Sequence, residues 1–455
     1  KIGQRNNTDR VDGVAIHDLR IYDRPITTID ARQLAGSPRN FELLSKPSAK
    51  RTPKEAEEIF TWWLTSQDKP YQEGGAAIRK LQDEETAIRA RGTIAHIAVE
   101  KPTPPEAFIL FRGDYDKRRD KVGPVTPKAL PAFAPDLPKN RLGFAKWLLN
   151  PEHPLTTRVT VNRFWQELFG AGLVKTSGDF GVTGELPSDP ELLDWLAIEF
   201  RSTGAWDVKR FFKLIVTSST YRQAAIATKE KLEKDRDNRL LSRGPRYRMD
   251  GEMIRDYALA ASGLLVKKIG GPSVKPYQPD GVWEAVAMPG SNTRDYRRDT
   301  GENLYRRSMY TFWKRSAPPA SMEIFNAPSR ETCSVRRERT NTPLQALVTL
   351  NDVQFVEAAR TLAEKTLKEG GKTAAARLDF IARRLMARPL TPAELKIVEP
   401  IAQELYLHYQ KKPEDAKKLI SFGESKADPT LDVASLAAYT MVVNELLNLD
   451  EVLNK

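Results

Sequence analysis

The chain has 455 residues, 40% hydrophobic and 29% charged, and its 72 basic against 60 acidic residues give a formal net charge of +12. This length suits about three domains of roughly 150 residues with room for a sizeable core. The single cysteine excludes an internal disulfide framework, a cysteine-rich zinc site and, within this chain, a covalent c-type haem, whose Cys-x-x-Cys-His motif needs two thiols. No apolar run approaches the roughly 20 residues of a membrane helix. The basic balance permits anionic partners without choosing among nucleic acid, acidic glycan and membrane surface. Most of it reads as ordinary solvated surface, and net charge alone is too little to support nucleic-acid binding. The chain opens at Lys1 without a basic-then-apolar leader, and we expect it to be the later part of a longer precursor.

In chain order, residues 1–36 read as a β segment at Val14–Tyr22, a turn at Asp23-Arg-Pro25 and a short helix at Thr28–Leu34 ended by Gly36. Residues 37–140 form a second region. Two helices are expected at 52–66 and about 76–91, striped by Phe60, Trp63 and Leu64 and by Ile78, Leu81 and Ile88. Thr93–Val99 and Ala107–Arg112 then read as the two strands of a hairpin, and the Lys- and Pro-rich 117–140 as an extended linker.

From 141 to 455 the pattern is helical. Leu142, Phe144, Ala145, Leu148 and Leu149 suit one helix, and Thr156–Phe169, stopped by Gly170, another. Ser188-Asp-Pro-Glu191 is a strong helix start, with Ser188 or Asp189 as cap and Pro190 in the first turn. Val208, Phe211, Phe212 and Ile215 mark a further helix; Met253, Tyr257, Ala261 and Leu264 another, closed by Gly270-Gly271. Residues 272–340 are irregular, and Thr342-Pro-Leu-Gln345 reads as a capping box. Three or four helices follow over 374–450, divided by Pro389, Pro392, Pro413 and Gly423. The fold class is therefore mainly α: a large multi-helix domain with a small β-hairpin element and a truncated β remnant at its start.

Several long motifs carry a resemblance. They are Arg158-Val-Thr-Val-Asn-Arg-Phe-Trp165, Phe169-Gly-Ala-Gly-Leu-Val174, Asp179-Phe-Gly181, Pro190-Glu-Leu-Leu-Asp-Trp-Leu196, Tyr305-Arg-Arg307, Tyr310-Thr-Phe-Trp-Lys-Arg315, Arg339-Thr-Asn-Thr-Pro-Leu-Gln-Ala-Leu347 and Leu446-Leu-Asn-Leu-Asp-Glu451. Over roughly residues 90–455 the sequence resembles the planctomycete-specific C-terminal domain of unknown function found in planctomycete cytochrome c domain-containing proteins. Residues 1–36 resemble the tail of a concanavalin-A-like (laminin-G-like) insert. The resemblance implies an extracytoplasmic protein, periplasmic or cell-surface, with haem c in a missing N-terminal module and none in this chain. The implied partners are that module, or another part of the same precursor, and an anionic polysaccharide.

Chemistry is sparsely written. From Arg294 to Arg339 the chain places ten arginines and one lysine against six acids, with six aromatics between them. Guanidinium forks hold carboxylate, sulfate and phosphate, and aromatic faces stack on sugars or on guanidinium. Arg306, Arg307, Tyr310, Trp313, Lys314, Arg315, Arg336, Arg337 and Arg339 are thus candidate ligand-binding residues, against the plainer reading of a loop region cemented by arginine pairs. Catalysis has only weak candidates. Asp179 and Asp194 belong to an acidic group, with Glu185, Asp189, Glu191, Asp250, Glu252 and Asp256, whose simpler tasks are caps and ion pairs with arginines such as Arg163 and Arg255. Cys333 lies among arginines, but only His17, His96, His153 and His408 exist to serve as its base, and it reads first as a buried structural cysteine. Asp114 and Asp116 fit a turn better than a metal, and no metal site is expected. Trp283 and Trp313 stand in irregular sequence, where they could face a ligand or fill the core. The expected function is a binding or scaffold domain engaging an anionic glycan or partner protein; the alternative is a glycan-active hydrolase or lyase with an acidic and arginine cleft.

Overall fold

A polar residue followed by proline starts many of the helices. Thr52 precedes Pro53, Asp189 precedes Pro190 and Thr391 precedes Pro392, and in each case the cap side chain accepts a backbone N–H three residues on. The cap satisfies one of the free donors of the first turn, and proline there gives up only an N–H that has no helical partner. The computed structural model describes residues 4–5, 9–10, 21–23, 25–26, 38–92, 95–101, 103 and 105–455. Helix dominates them and the fold is mainly α. The β segment and helix expected within 1–36 lie almost entirely outside the described residues; Ile21 and Tyr22 are in no strand, and Gln4–Arg5 pairs antiparallel with Asp9–Arg10.

The hairpin differs from expectation. Ala107–Leu110 forms its strand, but the partner is Arg118–Val122, the first part of the supposed linker, and residues 95–99 are in no strand. The backbone N–H of Phe111 donates to the Lys117 carbonyl at 3.0 Å and closes the turn. A short turn over 111–117 brings 118–122 back at once.

The chain divides into two compact units, residues 1–108 and 109–455. In the first, Pro53–Ser66 is followed by Lys69–Arg91. The second helix starts well before residue 76 because Asp68 caps it and Pro70 sits in its first turn. Phe60, Trp63, Ile78, Leu81 and Ile88 remain exposed.

The second unit holds two hydrophobic clusters. The smaller joins Thr156–Phe169, Pro190–Ile198 and Val208–Val216 through Val161, Trp165, Leu193, Leu196, Phe200, Phe211 and Ile215. Its clasp is Asn162, fully buried, whose amide donates to the Val174 carbonyl at 3.0 Å and accepts the Val174 N–H at 2.8 Å. A Cβ on Gly172 would lie 2.6 Å from that amide, and Gly170 ends the helix at φ +84°, so both glycines of Phe169-Gly-Ala-Gly-Leu-Val174 have steric reasons.

The larger cluster joins Gly251–Ser262, Val353–Glu369, Ala374–Met386, Pro392–Lys411 and Val433–Leu447. Buried Ala358, Ala359 and Ala363 on one helix and Ala437 and Ala438 on another allow close helix approach. Each large aliphatic residue around them, such as Leu362, Leu378 or Ile381, contributes about 1.5–3 kcal/mol on full burial.

Two helical stripes are rotated from expectation. In Arg141–Leu148 the buried residues are Gly143 and Trp147, while Leu142 and Phe144 are exposed. In Gly251–Ser262 the buried line runs through Ile254, Arg255, Ala258 and Leu259, and the helix ends at Gly263, at φ +83°, before Gly270-Gly271. The first helix of the acid-rich segment, Pro190–Ile198, runs on through a wide turn, Glu199–Thr203, to Gly204. The Thr342 capping box does not form: the Thr342 side chain caps nothing, and the Gln345 amide donates to the Ile324 carbonyl and to Thr340 Oγ1, both at 3.0 Å.

Candidate functional site

A short antiparallel pairing sets up an open arrangement of charge. The Tyr247 N–H donates to the Lys455 carbonyl at 3.0 Å, the Lys455 N–H returns to Tyr247 at 2.8 Å, and the Met249 N–H reaches Leu453 at 3.0 Å. Side chains alternate along such a segment. Met249 packs against the larger cluster, while Arg246 and Arg248 both meet Asp450, the first by hydrogen bond and the second at 3.8 Å. Arg339 enters from the loop before Thr342. Its guanidinium lies 4.2 Å from the centre of the Tyr247 ring and donates to the Gly170 carbonyl at 2.8 Å.

These residues, with Thr340, Asn341 and Asn454, line an open depression of about 420 Å³. It gathers three guanidinium groups against one carboxylate. The Arg248 side chain is 10% exposed, and burial pushes its guanidinium below the ordinary range. The Nε atoms of Arg248 and Arg339 are buried without a partner among the described residues. Burial also raises the Tyr247 phenol, which donates to the Glu167 carbonyl.

Next to it Arg337 donates to Glu252 at 2.6 Å and lies 3.6 Å from Asp250. Burial alone would lower the Arg337 guanidinium, but the Glu252 bond and the charges of Glu252, Asp250 and Glu167 outweigh it and its pKa rises. Burial raises the Asp250 carboxyl against the pull of Arg337 and Arg339. Asp250 stands at the cap position of its helix but makes no side-chain cap bond.

The other candidates are placed elsewhere. Arg306 is buried, donates to the carbonyls of Lys268, Gly270 and Pro272, and stacks 3.8 Å over Tyr310, whose hydroxyl accepts the Gly270 N–H at 2.7 Å. Lys314 donates to the Thr293 carbonyl at 2.8 Å and lies 4.7 Å over Trp283, which is core. Trp313 donates to the Ser329 carbonyl at 3.0 Å beneath Arg330, and Arg315 pairs with Glu331 at 3.0 Å. Arg307 is half-buried and Arg336 exposed, and neither side chain is bonded among the described residues.

The three catalytic candidates are also separate. Asp194 pairs with Arg158 at 2.5 Å, where Arg163 was a possibility, and that bond lowers its carboxyl. Asp179 is held down by Thr183 and by the Gly181 N–H at 2.7 Å, closing its own turn. Cys333 is exposed rather than buried. Asp189 caps its helix, Glu185 pairs with Arg239 at 3.3 Å, and Asp256 accepts the Ser308 N–H at 2.7 Å beside Arg255. Among the described residues no group of three or more His, Cys, Asp and Glu side chains could hold a metal ion, and no helix is long and apolar enough to cross a membrane.

Arg246, Arg248, Asp450 and Asn454 were not singled out from the sequence. The signal available was two arginines two apart in Arg246-Tyr-Arg248, a strand spacing that puts both on one side.

The fold and this site define a mainly α domain with an arginine-lined depression where the chain's end meets its middle. Residues 140–402, more than half of the chain, match the family PSD1, Protein of unknown function (DUF1553), and the chain belongs to that family. No curated protein and no solved structure matches it. Arg246, Arg248 and Arg339 fall inside the matched segment; Asp450 and Asn454 lie beyond it.

Proposed function

We propose that this chain is a binding or scaffold domain of a larger exported protein, and that its arginine-lined depression holds an anionic glycan through sulfate or carboxylate groups. One observation carries the reading: Arg246, Arg248 and Arg339 converge on an open depression in which a single carboxylate, Asp450, answers three guanidinium groups. Arginine presents five N–H donors in a fixed fork, and an oxyanion with two or three oxygens matches it. The Tyr247 ring offers a face for sugar C–H groups, and the Asn341 amide, unbonded among the described residues, suits hydroxyls. Asp450 limits the net charge, which favours a spaced pattern of anions over a continuous one.

In the setting the sequence resemblance implies, a planctomycete protein outside the cytoplasm, haem c belongs to another module, and this domain holds that module beside a polysaccharide.

Retention of the full chain on immobilised heparin, as a sulfated-glycan probe, tests the reading. The chain is expected to bind at low ionic strength, to elute with salt and to ignore neutral dextran. Absence of retention, or retention unchanged in a variant carrying both Arg246→Ala and Arg339→Ala, overturns it. So does turnover of a glycan that a single carboxylate substitution abolishes, which favours the hydrolase or lyase reading.

A further inference from the structure

A second site, sharing no lining residue with the arginine-lined depression, lies among the helices Ala374–Met386, Pro392–Lys411 and Val433–Leu447. It is a groove of about 660 Å³, within the range of small-ligand sites. Its polar lining has unused bonding capacity. Tyr439 is mostly buried, and its hydroxyl reaches solvent without a hydrogen-bond partner among the described residues. The side chains of Ser435, Lys396, Glu399 and Gln403 line the same groove, likewise unbonded among the described residues. Lys396 and Glu399 sit one turn apart on one helix without forming an ion pair.

Arg377 uses its Nε on the Gly371 carbonyl at 3.1 Å and holds its guanidinium 5.7 Å from the Tyr439 ring, which leaves its terminal nitrogens free to bind. Ala374, first residue of a 13-residue helix, lines the groove, and the Thr373 cap takes only the Ala376 N–H. The earlier N–H groups therefore add positive potential beside Arg377 and Lys396. Pro400 also lines the groove and has no N–H to give the Lys396 carbonyl, so that carbonyl lacks its helical donor.

We infer that this groove binds a pyranose ring bearing a carboxylate, a uronic acid residue. Arg377, Lys396 and the helix start take the carboxylate. Glu399, Gln403, Ser435 and the Tyr439 hydroxyl exchange hydrogen bonds with the ring hydroxyls. A sulfate ion would offer Glu399 no hydroxyl to accept from; a neutral hexose would leave the two cations without a partner. The mixture of two cations, one anion and neutral donors fits a ligand that is both anionic and hydroxylated. This inference is independent of the one about the arginine-lined depression.

Titration calorimetry of the full chain with glucuronate, glucose and gluconate tests it. Gluconate carries the carboxylate and hydroxyls without the ring, so it separates a sugar acid from an open-chain hydroxy acid. Glucuronate is expected to bind at least tenfold more tightly than either. Lys396→Met, at an exposed position, and Tyr439→Phe, which keeps the ring, should each weaken it about tenfold with melting unchanged. The paired Arg246→Ala and Arg339→Ala variant should lose heparin and keep glucuronate, which separates failure of one site from failure of the other. No binding, equal binding of glucose or gluconate, unchanged affinity in both groove variants, or loss of glucuronate in the paired arginine variant overturns the inference.

Discussion

Arg255 is buried and Arg248 half-buried in the same unit, and they do opposite things with their donors. Arg255 donates to Gln354 at 2.6 Å, to the Arg306 carbonyl at 2.9 Å, to Ser308 at 3.1 Å and to the Leu304 carbonyl at 2.6 Å. Arg306 gives its terminal nitrogens to three carbonyls of the 268–272 loop, although its Nε, like that of Arg248, is unpaired among the described residues. These guanidinium groups satisfy carbonyls that irregular backbone cannot pair with itself. Arg248 meets only Gln345 at 3.5 Å and Asp450 at 3.8 Å, and its Nε is unpaired among the described residues. The difference teaches that an arginine-rich sequence does not by itself make an anion site. What matters is how many donors the local carbonyls leave over.

The largest effect that would break this comparison is on Arg255. Arg255→Ala strands two carbonyls and a glutamine in the interior and should cost about 3–5 kcal/mol in chemical denaturation. A loss below about 1 kcal/mol would remove the distinction between cementing and free arginines.

Glu357 offers the next test. Fully buried, it accepts Tyr277 and Tyr305 at 2.9 Å and Ser425 at 2.6 Å, and burial, then Glu357 itself, pushes the Tyr305 phenol up to about 12. A Cβ on Gly423, at φ +93°, would lie 2.3 Å from the Glu357 carboxyl carbon. Gly423→Ala should therefore cost about 2–4 kcal/mol, read from the same denaturation curves. A wild-type curve would show that the carboxylate shifts freely and that this polar centre is not cement.

Arg339→Ala sharpens the other side. Heparin affinity should drop about tenfold and stability by about 1 kcal/mol, because one carbonyl bond and the Tyr247 stack are lost. Affinity and stability falling together by several kcal/mol would return Arg339 to the cementing class.

The smallest effect concerns pH. His153 Nδ1 accepts from Thr156 at 3.2 Å and from Leu155 at 3.4 Å, and burial holds its imidazole below the ordinary value near 6.5. The folded chain binds fewer protons than the unfolded chain in that window. Stability is therefore full above about pH 6.5 and declines as pH falls toward the folded value. His153→Gln should flatten that shallow slope in melting scans from pH 7 to 5; an unaltered slope assigns it to other groups.

How far the sequence could be read depended on distance along the chain. Asp189 with Pro190, and Gly170 as a helix stop, were visible because a cap or a left-handed glycine acts within about one turn. Thr342–Gln345 had the same pattern, yet Gln345 turned to Ile324 and Thr340, carbonyl and hydroxyl partners that no local rule can see. The hairpin partner was missed because β-branched residues at 93–99 looked more strand-like than the charged Arg118–Val122. Trp313, Lys314 and Arg315 read either as a ligand surface or as parts of a cemented loop region, and each is tied to a different neighbour, Ser329, Thr293 and Glu331.

The sequence alone determined the mainly α character and several helix limits, since hydrophobic period, prolines and caps are properties of a few adjacent residues. The tertiary structure decided which arginines remain available. The groups that occupy Arg255 come from 49 to 99 residues away, and the carbonyl that anchors Arg339 from 169. A guanidinium is the same group at every position in the sequence; only the backbone folded around it sets how many of its five donors are already in use.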